Sequence, residues 1–271
     1  MPGVYLFSVD LEDVRTMVPD GMKYKEAVPR CTINYLNWLD SVQSKATFFV
    51  VGETALAYPQ LIKEIHERGH ELACHTFSHL HLTAQTPETF ELDLIKNKEA
   101  IQKVVDVELT GFRAPTYSLV KNTSWAYAVL KKLGFSYSSS VLPAKNPLFG
   151  WPGFGNAKWM QGVYELPISL SPFMNLPFGG GVYFRVLPTF FIQHCFKTFI
   201  NSNQDVIGYF HPYDIDFLQE SFMHPHLHNN ALYNKLMYFN RSKVFDRLNN
   251  YTQKDFKVMR YDSYLKLKGI L

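Results

Sequence analysis

Two histidines four residues apart, His75 and His79 in the run His75-Thr76-Phe77-Ser78-His79, are the side chains in this sequence best suited to hold a metal ion. At that spacing two imidazoles converge on one side of a helical turn or tight loop, about 5–6 Å between Cβ atoms. Neutral imidazole is the commonest metal-binding side chain. A carboxylate from elsewhere would complete a His/His/carboxylate set with a position left for water, which is how hydrolytic zinc-type sites are built. The segment Ser8-Val9-Asp10-Leu11-Glu12-Asp13 offers three carboxylates. Acidic residues at such a place also serve helix N-termini by accepting backbone N–H groups. Position alone leaves both uses open.

The elements that must present these groups alternate between strand and helix. Residues 4–9 form a short, bulky, partly β-branched run that reads as a buried strand, and 46–51 as a second. Apolar residues at helical spacing mark 31–42 and 53–68, the latter stopping at Gly69. Residues 70–74 lead into the histidine pair, and 87–105 form a long helix with Pro87 in its first turn. Strands at 110–113, 135–137, 163–166, 205–210 and 256–259, with helices at 124–133, 188–200 and 230–248, complete the pattern. Residues 173–191, rich in aromatics, Gly and Pro, read as a loop or hairpin. Repeated βα units imply a mostly parallel sheet, open or closed into a barrel, and no linker or repeat divides the chain.

The chain has 271 residues, 46% apolar and 15% aromatic, enough for a sizeable core. A net charge of +3 argues against a dedicated nucleic-acid surface. Cys31, Cys74 and Cys195 are odd in number and far apart, which argues against a disulfide framework and fits a reduced compartment. The N-terminus enters a strand without a basic signal-peptide region, and no apolar run approaches the ~18 residues that span a bilayer. The expectation is a soluble, cytoplasmic protein. The 173–191 segment offers a surface for a second copy, so a homodimer is compatible with the sequence and the oligomeric state stays open.

The residues just past the expected strands form a chemically coherent set: Asp10, Glu12 and Asp13; His75 and His79; Arg113 with Pro115 and Tyr117; and His211. In a parallel barrel all would gather at one face. These residues carry a resemblance to the polysaccharide deacetylase family (NodB homology, carbohydrate esterase family 4). Ser8–Asp13 resembles motif one in its SVDxED form, and His75–His79 the H-[ST]-x-x-H motif. Gly111-Phe112-Arg113-Ala114-Pro115-Thr116-Tyr117 resembles the arginine–proline motif, and Tyr209-Phe210-His211-Pro212-Tyr213-Asp214-Ile215-Asp216 the final histidine motif. The segment from Gly180 to Pro188 is similar to a glycine-rich stretch of the SVDxED branch, whose members occur in exopolysaccharide and O-antigen loci.

The resemblance implies an α/β fold, a single distorted (β/α) barrel of seven strands, NodB-like, over residues 1–271, with an irregular aromatic/Gly/Pro-rich insertion around 143–188. It implies one divalent metal, usually Zn2+, sometimes Co2+ or Ni2+, and hydrolysis of an N-acyl group, typically N-acetyl, on an amino sugar of a cell-surface polysaccharide or its precursor. In that chemistry His75 and His79 ligate with a carboxylate, Asp10 is the general base, Arg113 keeps it ionised and oriented, and His211 protonates the leaving amine. A gapless reading makes Glu12 the third ligand, whereas a one-residue bulge would present Asp13. The oxyanion N–H belongs to Thr116 or Tyr117, because the motif here has one extra residue before the tyrosine. Asp214 or Asp216 is placed to tune His211, and Ser138 stands where relatives tend to carry an acidic residue. The same scaffold also serves other amide hydrolases, deformylases and ureide amidohydrolases among them, and a non-catalytic saccharide-binding relative would lack one of these groups.

Three further clusters are open to a functional use. The run His224-Pro225-His226-Leu227-His228 reads as a solvated loop. Trp151, Phe154 and Trp159 would either stack on sugar rings or pack beneath a loop. Cys74 should point opposite His75 if the strand continues, as a buried structural thiol.

Overall fold

Gly3–Leu11 (β1) is the strand around which the sheet is built. The computed structural model describes residues 3–146, 148–227, 229–252 and 256–271. Eight further strands are β2 (Thr47–Val50), β3 (Glu71–Cys74), β4 (Gly111–Phe112), β5 (Tyr137–Ser138), β6 (Lys158–Met160), β7 (Val163–Glu165), β8 (Val206–Phe210) and β9 (Phe256–Met259). The helices are α1 (Val28–Ser41), α2 (Gly52–Ala57), α3 (Pro59–Glu67), α4 (Pro87–Gln102), α5 (Ala126–Lys132), α6 (Gly181–Val186), α7 (Thr189–Asn201), α8 (Ala231–Tyr238), α9 (Val244–Thr252) and α10 (Tyr261–Leu267).

The sheet has nine strands, β6-β7-β5-β4-β3-β2-β1-β8 with β9 also paired to β1, and all but β6 are parallel, so eight parallel strands are present where seven were expected. Among the described residues no strand ladder joins β7 to β8. The chain leaving β7 bridges that gap instead: Ser169 N–H donates to the Ile207 carbonyl (3.2 Å), and Ile207 N–H to Ser169 Oγ (2.8 Å). β1 divides its partners. Ser8–Leu11 pair with β2, Gly3–Leu6 with β9, and Tyr5–Val9 with β8.

Successive strand residues face opposite sides, and two cores result. Tyr5, Phe7, Val9, Leu11, Phe48, Val50, Leu72, Cys74 and Phe112 pack outward beneath the helices. Leu6, Phe49, Ala73, Tyr137, Ile207, Tyr261 and Leu265 fill the inside of the curved sheet. Both faces are buried, as a parallel sheet requires. Cys74 therefore turns away from His75 into the outer core as a free thiol, as its strand position implied.

Three expectations about elements need correction. The single helix at 53–68 is two, because Pro59 lacks an N–H and disfavours a helical conformation in Tyr58. The helix at 230–248 breaks at Asn240, held left-handed at φ 54°, and resumes as α9. The stretch 173–191 is no mere loop: α6 and the start of α7 lie in it, and α10 lies beyond the last expected strand. Backbone crowding explains the glycines there. A Cβ on Gly180 would meet the Tyr209 carbonyl at 1.9 Å, and one on Gly208 the Gly179 carbonyl at 2.0 Å.

Candidate metal centre and active site

The inward-facing positions at the C-terminal strand ends carry the polar cluster. Asp10 lies on β1 with Glu12 just beyond it, His75 follows β3, Arg113 follows β4 and His211 follows β8. The His75–His79 stretch is a tight loop in which Thr76 and His79 adopt left-handed conformations, φ 63° and 56°. Non-glycine residues hold such backbone only when their surroundings over-determine it. Here α4 does so. Asp93 accepts hydrogen bonds from Phe77 N–H (2.7 Å) and Ser78 Oγ (2.9 Å), while Asn97 Nδ2 donates to the Val50 and Thr76 carbonyls. Neither residue stands out in the sequence. Their signal is a polar pair four apart on the helix that also buries Phe90, Leu94 and Ile101.

Glu12, His75 and His79 bring one ligand atom each to within 4.8 Å of one another. Glu12 Oε2 lies 2.6 Å from His79 Nε2 and 3.8 Å from His75 Nε2. His75 Nδ1 faces the Arg113 carbonyl at 2.8 Å, so it carries the proton and leaves Nε2 a bare lone pair aimed at Glu12. His79 Nε2 is buried and makes no hydrogen bond, although it lies 2.6 Å from Glu12 Oε2. Burial holds the His75 pKa down to about 4. Burial would raise that of Glu12, but the imidazoles of His79, His211 and His75 outweigh it and bring it to about 2. An ionised carboxylate and a neutral imidazole are the protonation states a divalent metal needs. The donor set fits such an ion.

Asp13 stands outside this group. Its carboxylate caps the following turn through Arg15 N–H, and Arg15 Nη2 (2.6 Å) and Tyr58 Oη (3.1 Å) hold it. No bulge occurs at Leu11, which pairs with Val50 in register. Of the two carboxylates left open by the sequence, the backbone therefore turns Glu12 toward the histidines and Asp13 away.

Asp10 is 4.0 Å from both His75 Nε2 and His211 Nε2, and Arg113 Nη1 donates to its Oδ1 at 2.6 Å. Arg113 is fully buried, its guanidinium 4.0 Å from the Phe49 ring centre. His211 Nε2 lies 3.9 Å from Glu12 Oε1, and its Nδ1 is 3.0 Å from Asp214 Oδ2. Arg185 Nε donates to Asp214 Oδ1 (2.9 Å). Burial would raise the Asp214 pKa, but Arg185 and His211 hold it at about 2. Burial would lower that of His211, but Glu12, Asp214 and Asp10 lift it to about 9. Asp216 is bound to Arg30 instead (2.6 Å).

Thr116 and Tyr117 form a turn with two consecutive left-handed residues, φ 53° and 56°. Tyr117 N–H is used within that turn, donating to the Ala114 carbonyl (3.1 Å), which leaves Thr116 N–H as the group outside it. His81 Nε2 contacts Thr116 Oγ1 (3.1 Å), with its ring against Phe149 and His226. Ser138 is bonded to Ser140 and does not reach Arg113, which takes Ser139 instead.

The histidine run is a loop whose first histidine departs from the expected solvation, while His226 is exposed. His224 is buried beside Arg241 Nη2 (3.1 Å), His226 packs on His81, and His228 lies outside the described residues. Phe154 is core, Trp151 packs edge-on to it, and Trp159 is exposed on the edge strand β6.

Residues 16–138 match the polysaccharide deacetylase family model, and residues 139–266 match a domain family of unknown function, DUF3473. The boundary falls directly after β5, inside one continuous sheet, and the site draws on both parts and on the segment before them. A peptidoglycan-N-acetylglucosamine deacetylase of Bacillus cereus is 33% identical over 32% of this chain and 40% of that protein. The chain spans well under half the length of such curated relatives. Among solved structures, a putative polysaccharide deacetylase from Mycobacterium smegmatis superposes with a TM-score of 0.63 at 19% identity, covering 98% of this chain and 91% of that one. A carbohydrate esterase 4 family pseudoenzyme from Bacillus anthracis superposes at 0.54 with 10% identity, over 97% of this chain and 66% of that one. That fold is thus shared with a protein described as a pseudoenzyme.

Proposed function

We propose that this chain, which carries a polysaccharide deacetylase domain, hydrolyses the N-acyl amide, most simply N-acetyl, of an amino sugar in a cell-surface polysaccharide or its precursor. The observation that carries the reading is the convergence of Glu12, His75 and His79 with Asp10, Arg113 and His211 at one end of the sheet. A divalent ion, for which we infer zinc, would be held by Glu12, His75 and His79 and would polarise the acyl carbonyl and lower the pKa of water. Asp10 accepts the proton of the attacking water, and Arg113 fixes the carboxylate's rotamer through Oδ1 so that Oδ2 faces the cluster. Thr116 N–H is the donor we assign to the developing oxyanion. An amide nitrogen leaves poorly unless protonated, and His211, backed by Asp214, supplies that proton. We further infer membership of the SVDxED branch, acting on exopolysaccharide or O-antigen precursors.

The test is acetate release from N-acetylated saccharides by the wild type and Asp10→Asn, with metal content measured alongside. Loss of turnover with metal retained supports an enzyme. Equal saccharide binding with no turnover in either protein would favour a binding protein and refute the reading.

A further inference from the structure

Arg113 presents five N–H donors and every one is taken. Nη1 donates to Asp10 Oδ1 and Ser8 Oγ (both 2.6 Å), Nε to the Ser139 carbonyl (2.9 Å), and Nη2 to Ser139 Oγ (3.0 Å) and Tyr261 Oη (2.9 Å). Four acceptors come from β1 and from the residue just after β5. The fifth arrives from 148 residues further along the chain, as the first residue of α10.

Tyr261 is fully buried within the sheet, stacked on Tyr137 (centroids 5.7 Å apart, 13°) and edge-on to Phe49 (5.6 Å, 82°). Its backbone is pinned: Tyr261 N–H donates to Thr47 Oγ1 (2.9 Å) and Asp262 N–H to Glu71 Oε2 (3.1 Å). Glu71 is itself fixed by the hydroxyls of Thr47 and Tyr137. The start of α10 is thus bolted to β2 and β3, and a rigid phenol stands under the guanidinium.

A planar guanidinium turns as one body. The partners of Nη2 therefore set where Nη1 points, and Nη1 holds Asp10. We propose that Tyr261 is a positioning residue of the active site, whose hydroxyl fixes the guanidinium plane and through it the Asp10 carboxylate. The inference rests on Asp10 acting as the base in the deacetylase reading.

Tyr261→Phe removes one oxygen and keeps the ring packing. With an N-acetylglucosamine tetramer as substrate, kcat should fall about tenfold, a modest misplacement of a catalytic group, while KM and metal content stay at wild-type values. Tyr251→Phe is the control, because it removes the hydroxyl of another buried tyrosine, bonded to the Thr189 carbonyl and in contact with neither Arg113 nor the groups that hold Tyr261, and kcat should hold. Unchanged kcat in Tyr261→Phe, or equal losses in both variants, overturns the proposal. If Tyr261→Phe fails to fold, Thr47→Val, which releases the Tyr261 N–H, should lower kcat in the same sense, and an unaltered kcat there counts against it. A readout independent of turnover separates this from the deacetylase reading: the slowly exchanging guanidinium NMR signals of Arg113, assigned by their loss in Arg113→Lys. They should exchange faster in Tyr261→Phe and not in Tyr251→Phe. If the wild type releases no acetate, the deacetylase reading falls, and these signals alone decide whether Tyr261 orients Arg113.

Discussion

Arg185→Met should cost this protein a large part of its stability, in a way that depends on pH. The guanidinium is fully buried, donating to Asp214 Oδ1 at 2.9 Å and to the Met237 and Phe239 carbonyls at 2.9 and 2.8 Å. Removing one partner of a buried pair leaves an uncompensated charge, typically about 3–5 kcal/mol. Part of that is visible as proton linkage: a carboxyl held at about 2 instead of 3.8 contributes about 2 kcal/mol. Because the Asp214 pKa is depressed, that contribution is complete above about pH 4 and is lost as pH falls through about 2. Urea unfolding followed by tryptophan fluorescence should show a gap of about 3–5 kcal/mol between wild type and Arg185→Met at pH 7. The gap should narrow as pH is lowered below 4, and adding Asp214→Asn to Arg185→Met should recover part of it. A loss under about 1 kcal/mol at pH 7, or one that Asp214→Asn leaves unaltered, would refute the reasoning.

Three other outcomes are expected. His75→Ala/His79→Ala should lose the about one equivalent of divalent metal retained by gently purified wild type, measured by mass spectrometry, with unchanged far-UV circular dichroism. Gly208→Ala should lower stability by about 1–3 kcal/mol in urea melts, since its methyl would press on the Gly179 carbonyl from 2.0 Å. His70 is buried, its Nδ1 accepts Ala46 N–H (3.1 Å), and burial brings its pKa down to about 4. A histidine that must stay neutral stabilises fully above pH 6.5 and loses that contribution as pH falls toward 4, at most about 3 kcal/mol. The stability difference between wild type and His70→Gln should therefore shrink over that window, and a difference constant from pH 7.5 to 5 counts against the assignment.

The strand-end carboxylates, imidazoles, Arg113 and His211 were readable in the sequence because parallel βα units deliver such residues to one face. The choice between Glu12 and Asp13 was not. It depends on whether β1 keeps register through Leu11, and on Arg15 and Tyr58 competing for Asp13, which only the assembled chain decides. Likewise, Asp214 and Asp216 are indistinguishable by spacing until Arg185 takes one and Arg30 the other. His224 reads as a surface histidine in a Pro-broken run, yet Arg241, a long-range partner, carries it inside. The helix breaks at Tyr58 and Asn240 differ in kind: Pro59 was a visible punctuation mark, whereas Asn240 turns left-handed among ordinary residues.

β1's divided pairing has a consequence for how the molecule comes into being. Its upper half can join β2 as soon as some fifty residues exist, but its lower half waits for β9, more than two hundred positions later. A nascent chain that already carries Asp10, the histidine loop, Arg113 and His211 still lacks a partner for the start of its first strand. Such long-range closure is slow. Closure of that lower edge is thereby held back until the last strand has left the ribosome, so a prematurely ended chain would expose an unpaired apolar edge.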